Sequence, residues 1–96
     1  MSGIELMRVP VISSRHITGE CADWLDEVTG QPDSALCGFK GGYGWILFVG
    51  EDPLGPDCPH LDVLNPIFAW ARLNGYAWVR LDADADQVRM LPAYIW

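Results

Sequence analysis

Three aspartates alternate with alanine in the LDADAD stretch at residues 81–86, near the carboxyl end of the sequence. Carboxylates at positions i, i+2 and i+4 can converge on a hard cation such as Ca²⁺ if the backbone curls around it. The calcium-loop pattern then fails, because Gln87 stands where that loop requires glycine and Ala93 stands where it requires glutamate. We therefore predict a solvated strand end and turn there, without a bound metal.

The residue types that bind zinc are present, but their spacing is poor. A structural zinc site needs four ligands, usually from two close pairs, and this chain has one close pair, Cys58 with His60. The cysteine count is odd and lacks a CxxC pair, which argues against a secreted disulfide scaffold and predicts reduced thiols. We predict no metal and no cofactor. The full candidate set is Cys21, Cys37, Cys58, His16 and His60.

No side chain has the sequence setting that covalent catalysis needs. Cys58 lies among acidic residues, which disfavour its thiolate. Ser13 and Ser14 lie near His16 without the strand–turn–helix elbow that presents a catalytic serine. The GFKGGYG stretch lacks the GxxxxGK[ST] spacing of a phosphate-binding loop. The sequence therefore predicts that the protein is not an enzyme.

The most specific surface feature is a helix predicted over residues 18–29, with Thr18 as N-cap and Gly30 past its end. At 100° per residue its apolar residues share one face, and its carboxylates fill the opposite arc. No lysine or arginine separates these acids, so they repel one another by a few tenths of a kcal/mol per pair. The face is either simply solvated or a docking surface for an arginine-rich partner. Its acids are Glu20, Asp23, Asp26 and Glu27.

The whole chain is acidic, with 13 acidic against 6 basic residues and a formal net charge of -7 at pH 7. Direct nucleic-acid binding is unfavourable, because phosphate contacts rest on clustered lysine and arginine. The same charge can attract a protein with a basic surface, or simply maintain solubility. The sequence shows neither a signal-peptide pattern nor a run approaching the ~18 apolar residues that span a bilayer, so we expect a cytoplasmic protein without a membrane partner.

Further elements follow from apolar patterning and from turn residues. A first strand is predicted at 8–13, with Pro10 at an edge or at the start of the strand because proline has no N–H to donate. Strands at 35–40 and 43–50 flank a two-glycine hairpin turn at 41–42.

The second half of the chain is predicted to hold one helix, one strand and a tail. The helix is expected to begin near Asn65, because Pro66 cannot donate to the carbonyl one turn earlier, and to close at Gly75. Residues 76–82 alternate as a strand, and the apolar tail at 91–96 is expected to pack along an edge or over the open face of the sheet.

The resulting order β-α-β-β-α-β predicts one α+β domain over residues 1–96, a ferredoxin-like sandwich with a mainly antiparallel sheet and two helices on one face. Right-handed crossovers would make the first and third strands the central pair. The unbroken apolar run at 45–49 suits this, because it predicts a third strand that is central and covered on both faces. The alternative is a three-stranded α/β sandwich in which residues 35–40 are loop.

Aromatic residues on the sheet predict an alternative function. Trp45, Trp78 and Tyr94 are predicted to line a pocket on the open sheet face, which would make the protein a small-ligand-binding or accessory module. An exposed tryptophan-rich face or edge can also pair with a second copy, so a homodimer is a further option.

Three stretches, VISSRHIT, GYGWILFVGED and FAWARLNGYAWVRLDADAD, together with the ending LPAYIW, carry a resemblance over most of the chain. In these stretches the sequence resembles a family of small α/β proteins from proteobacterial plasmids and integrated mobile elements. The resemblance implies no catalytic residues. It implies a context in which small acidic proteins often block host-defence complexes such as restriction or CRISPR machinery.

The leading prediction is a non-enzymatic acidic interaction protein. In its most specific form it is a mobile-element inhibitor of anti-CRISPR or anti-restriction type, which binds a basic, nucleic-acid-binding surface of a host-defence complex. Such binding is expected to be sensitive to salt. The predicted partner-binding residues are Glu20, Asp23, Asp26, Glu27, Asp82, Asp84 and Asp86.

Overall fold

The computed structural model describes residues 3–31, 36, 38–42 and 44–96. Within them the chain forms four strands, two α-helices and one 3₁₀ turn. In chain order these are β1 (Val11–Ser13), the 3₁₀ turn (Ser14–His16), α1 (Gly19–Val28), β2 (Gly38–Gly41), β3 (Gly44–Phe48), α2 (Leu61–Leu73) and β4 (Trp78–Asp82).

The four strands form one mixed sheet in the order β1-β4-β3-β2. β1 runs parallel to β4, whereas β4 with β3 and β3 with β2 are antiparallel. The α+β class, the four strands and the two helices are therefore as predicted. The ferredoxin-like arrangement is not confirmed, because β4 lies between β1 and β3, and the first and third strands do not form a central pair.

The position of Pro10 explains why β1 lies at an edge. The Pro10 carbonyl accepts a hydrogen bond from the Arg80 backbone N–H at 2.9 Å, so this residue joins the ladder on one side. Proline has no N–H to offer a strand on the other side, which is tolerated at a sheet edge and not at its centre. At the opposite edge, β2 excludes the three-stranded alternative for residues 38–40, while residues 35 and 37 lie outside the described residues.

Both helices cover the same face of the sheet. The side chains of Trp45 and Leu47 in β3 and of Val79 and Leu81 in β4 point to this face and are buried. They share one hydrophobic core with the inner faces of α1 and α2. The prediction that β3 is covered on both faces is wrong, because Phe48 is 42% exposed on the other face.

Helix α1 follows its sequence signals closely. The Thr18 hydroxyl accepts a hydrogen bond from the Cys21 backbone N–H at 3.1 Å, which satisfies one donor of the first turn. Gly30 has a φ angle of 86°, the left-handed conformation that ends many helices. The predicted carboxylate arc therefore points to solvent, since the opposite face of the helix is buried.

Helix α2 begins earlier than predicted, at Leu61, and it contains Pro66. Asn65 does not act as N-cap, because its side-chain oxygen accepts a hydrogen bond from the Leu54 backbone N–H in the preceding loop. Proline removes one donor to the Asp62 carbonyl. The burial of the apolar side chains around Pro66 outweighs this local cost; they are Leu64, Ile67 and Phe68.

The hairpin turn differs from prediction, and of the two positions predicted for the tail, the one over the open face is not observed. The ladder pairs Gly41 with Gly44, so Gly41, a predicted turn residue, belongs to β2, and residue 43 lies outside the described residues. The tail does not cover the open sheet face. Instead, the Tyr94 N–H donates to the Arg15 carbonyl at 2.7 Å and the Trp96 indole N–H donates to the Ile17 carbonyl at 2.8 Å.

Candidate functional site

The four predicted carboxylates of α1 are all exposed. Glu20, Asp23, Asp26 and Glu27 lie on the solvent face of the helix, opposite the buried residues that contact the sheet. Among the described residues the structure shows an ion pair for Asp26 and none for the other three. We call Glu20, Asp23 and Glu27 the acidic triad.

Asp26 differs from the triad because side chains from two neighbouring strands bind its carboxylate. The Lys40 ammonium lies 2.8 Å from Asp26 Oδ1, and the Trp45 indole N–H donates to the same oxygen at 3.1 Å. Both groups reach Asp26 because Lys40 and Trp45 are cross-strand partners in the β2–β3 ladder and therefore point to the same face. Asp26 thus attaches α1 to the sheet, a role that the helical pattern alone did not predict.

The aspartates at the end of β4 form a closed turn. One carboxylate oxygen of Asp82 lies 3.4 Å from an Arg80 guanidinium nitrogen, and the other accepts the Asp84 backbone N–H at 2.9 Å. The Asp86 carbonyl accepts the backbone N–H of Ser13, which joins this turn to β1. Asp84 and Asp86 keep exposed side chains, whereas the Asp82 side chain is engaged within the domain.

A shallow groove lies between α1 and this turn. Its volume is about 340 Å³, and its lining includes Asp26 of α1 and Ala83, which separates Asp82 from Asp84. Among the seven predicted partner-binding residues, Asp26 lines this groove, and its carboxylate pairs with Lys40. The remaining lining residues are Ser14, Lys40, Gly41, Gly42, Gly44, Trp45 and Trp96.

The predicted aromatic pocket is not formed. Trp45 lies on the helix-covered face, Tyr94 lies in the tail beside Arg15, and Trp78 alone lies on the open face. Two residues that the sequence did not single out accompany Trp78. The Phe39 ring stacks near Trp78 with centroids 6.2 Å apart, and the Phe48 ring meets it edge-on at 5.2 Å. We call Phe39, Phe48 and Trp78 the aromatic cluster.

His16 has a structural role. Its side chain is 1% exposed; Nδ1 lies 2.7 Å from the Pro92 carbonyl, and Nε2 accepts the Val88 backbone N–H at 2.8 Å. A carbonyl only accepts and an N–H only donates, so these partners require a neutral ring with its proton on Nδ1. Both nitrogens are used, which leaves neither free for a metal. Within the described residues, no three histidine, cysteine or acidic side chains are grouped to hold a metal ion.

The two described thiols are buried, and the environment suppresses their ionisation. Burial, followed by the nearby Cys58 thiol, raises the pKa of Cys21 from 9.0 to about 12. Burial also raises the pKa of Cys58. A catalytic cysteine needs the opposite shift. The geometry therefore offers neither thiol as an activated nucleophile.

The raised pKa of Cys21 predicts a loss of stability at alkaline pH. The unfolded chain releases this proton at a lower pH than the folded one, so the free energy of unfolding should fall as pH rises from about 9 towards 12. The slope is at most ~1.4 kcal/mol per pH unit. Urea unfolding of the wild type and of Cys21→Ala at pH 8 and 10 checks this. An equal pH dependence in both proteins would contradict it.

Among the described residues, no helix is both long and apolar enough to cross a membrane.

Comparisons with curated proteins and with solved structures found no significant match. A comparison with protein families matches residues 9–96 to a domain described as "Family of unknown function (DUF5983) C-terminal domain". Because this match covers most of the sequence, the chain belongs to the DUF5983 family.

Proposed function

We propose that this domain is a non-enzymatic interaction module that binds a protein partner through basic side chains of that partner. The observation that carries the proposal is the acidic triad, which is exposed and has no ion pair among the described residues. Asp26 and Asp82 are neutralised within the domain, so we assign them to the support of the site. Asp84 and Asp86, which are exposed in the turn after β4, are the remaining candidate contacts.

The arrangement of the triad costs stability in the free domain. Like charges three or four residues apart on a helix repel by a few tenths of a kcal/mol per pair. Glu27 also lies near the carboxyl end of α1, where the helix dipole favours a cation, and the last turn contains no basic residue. A partner with arginine or lysine side chains would relieve both effects on binding, which supports a docking function for this face over a purely solvated one.

The more specific prediction is that the partner is the nucleic-acid-binding surface of a host-defence complex and that the protein comes from a mobile element. This identity rests on the sequence resemblance and on analogy. The family description names no function and no genetic context. The chemistry proposed from the geometry is broader: a protein surface rich in arginine or lysine.

The test compares two variants with the same net charge. One replaces the acidic triad with amides (Glu20→Gln, Asp23→Asn, Glu27→Gln), and the other replaces three exposed acids of the 51–60 loop (Glu51→Gln, Asp52→Asn, Asp57→Asn). Each raises the formal charge from -7 to -4. The probe is an immobilised oligo-arginine peptide, followed by host lysate. At low salt we expect the triad variant to bind at least ~10-fold more weakly than the wild type.

The loop variant is the control for net charge, and we expect its affinity to lie within about 3-fold of the wild type. Wild-type binding should weaken strongly between about 50 and 500 mM salt, because exposed charges are screened. Circular dichroism must show the same fold in all three proteins. Equal losses in both variants, or wild-type affinity that salt leaves unchanged, would show that the triad is not the docking surface.

A further inference from the structure

The sheet face opposite the helices is mostly apolar, and no described element covers it. Across the four strands, Val11, Arg80, Ile46 and Phe39 are neighbours in register. The adjacent pair is Trp78 and Phe48. Side chains in register on one side of a sheet share a face, so this row and the aromatic cluster form one surface. Val11 is 49%, Phe39 58% and Phe48 42% exposed.

This open face is close to electrically neutral, in contrast to the rest of an acidic domain. The charged side chains that its strands place on this face are Arg80 and Asp82, which pair with each other at 3.4 Å. The acidic triad lies on α1, in the layer on the other side of the sheet. Sheets pack ~10 Å apart, and a helix adds about 10 Å on each side, so two domains placed face to face would hold their acidic helices ~30 Å apart. That separation is about three Debye lengths at 0.1 M salt, so repulsion between the two acidic helices is largely screened.

We infer that a second copy of this chain covers the open face, as a twofold sheet-on-sheet dimer centred on the aromatic cluster. A twofold contact requires a patch that matches itself, and a mostly apolar face with an internally paired charge meets that condition. It is also the face on which a copy with the same net charge meets no unpaired carboxylate of α1. An arginine-rich or lysine-rich partner gains nothing from a neutral apolar surface, which separates this contact from the acidic docking face.

The size of the face sets the strength of the dimer. Four strands at ~4.8 Å spacing and about five residues at ~3.3 Å give a footprint of roughly 300 Å² per copy. Stable complexes bury about 800 Å² per partner, so the dimer belongs to the weak class. We therefore expect half-maximal association in the range of about 10 to 500 µM, with monomers predominating below it.

Analytical ultracentrifugation of the full chain from about 5 to 500 µM tests the dimer. The variant Phe39→Glu places a charge in the aromatic cluster, and Leu73→Glu places the same charge on α2, where Leu73 is 84% exposed and outside the open face. We expect the wild type and Leu73→Glu to associate as concentration rises, and Phe39→Glu to lose at least ~10-fold in association constant. Association should persist in 0.5 M salt, where acidic docking is lost.

Three results would overturn the inference: a monomeric wild type at 500 µM, equal association of Phe39→Glu and Leu73→Glu, or association that salt abolishes. A fourth would assign the face to a different occupant. If a hydrophobic dye binds the monomer and Phe39→Glu removes that binding while no dimer forms, the face takes an apolar ligand. Phe39→Glu and the acidic triad variant change different faces, so failure of one proposal leaves the other measurable.

Discussion

Replacing Gly44 with alanine is expected to destabilise the domain by at least ~3 kcal/mol. A Cβ atom at this position would lie 1.7 Å from the Leu81 carbonyl oxygen and 2.8 Å from the Leu81 carbonyl carbon. Both are backbone atoms of β4, so no side-chain rotation can relieve the overlap. Gly44 pairs directly with Asp82, and moving the strands apart would break hydrogen bonds in the centre of the sheet. A 96-residue domain has about 5 to 15 kcal/mol of total stability, so the loss is large.

Urea unfolding followed by tryptophan fluorescence measures the effect of the Gly44 change. Gly42→Ala is the matched control, because a Cβ at Gly42 meets nothing within 4 Å. We expect the control to stay within ~0.5 kcal/mol of the wild type. A Gly44→Ala protein that purifies unfolded also agrees with the expectation, because it has lost at least the total stability of the domain. A Gly44→Ala protein as stable as Gly42→Ala would show that β3 and β4 do not approach this closely.

The hairpin illustrates what local sequence signals predict well and where they stop. Two glycines at 41–42 and flanking apolar runs correctly predict two antiparallel strands, because turn residues act over a few positions. The turn itself lies one residue later than predicted. Gly44, which pairs with Gly41, also lies against β4, a strand more than thirty residues away in sequence, and no local pattern contains this contact.

Sheet order was harder to predict than element order for a related reason. The apolar run in the third strand suggested a central position, and β3 is indeed interior, but the second interior strand is β4. Pro10 argues against a central first strand, whereas the right-handed crossover rule favours one. The missing N–H of proline is stronger evidence than the crossover rule, because it applies to this residue whatever the topology.

The candidate site shows the same division between local and distant information. Helical periodicity placed all four carboxylates of α1 in solvent, which the structure bears out. Periodicity cannot show that Lys40 and Trp45 reach Asp26, because that contact depends on the hairpin register. Lys40 is the one lysine in the chain, but a turn at 41–42 would pair it with residue 43, and the observed register pairs it with Trp45.

Replacing His16 with alanine is expected to cost about 2 to 4 kcal/mol and to release the carboxyl-terminal segment. The change removes the acceptor for the Val88 N–H and the donor to the Pro92 carbonyl, and it empties the space of a fully buried ring. An unsatisfied buried polar group costs ~1 to 3 kcal/mol, and access of water to the released segment offsets part of that cost. The histidine therefore fixes residues 88–96 against the 3₁₀ turn.

Two measurements separate this specific role from general destabilisation. Hydrogen exchange should accelerate most at Val88 and Tyr94, and trypsin should cleave after the exposed Arg89 faster than in the wild type. Trp96→Phe is the control, because it removes one hydrogen bond of the tail, to the Ile17 carbonyl, and leaves His16 in place. We expect a smaller loss there, ~0.5 to 1.5 kcal/mol. A His16→Ala protein whose exchange rises uniformly, with no preference for 88–96, would show that His16 serves the core as a whole and not the tail.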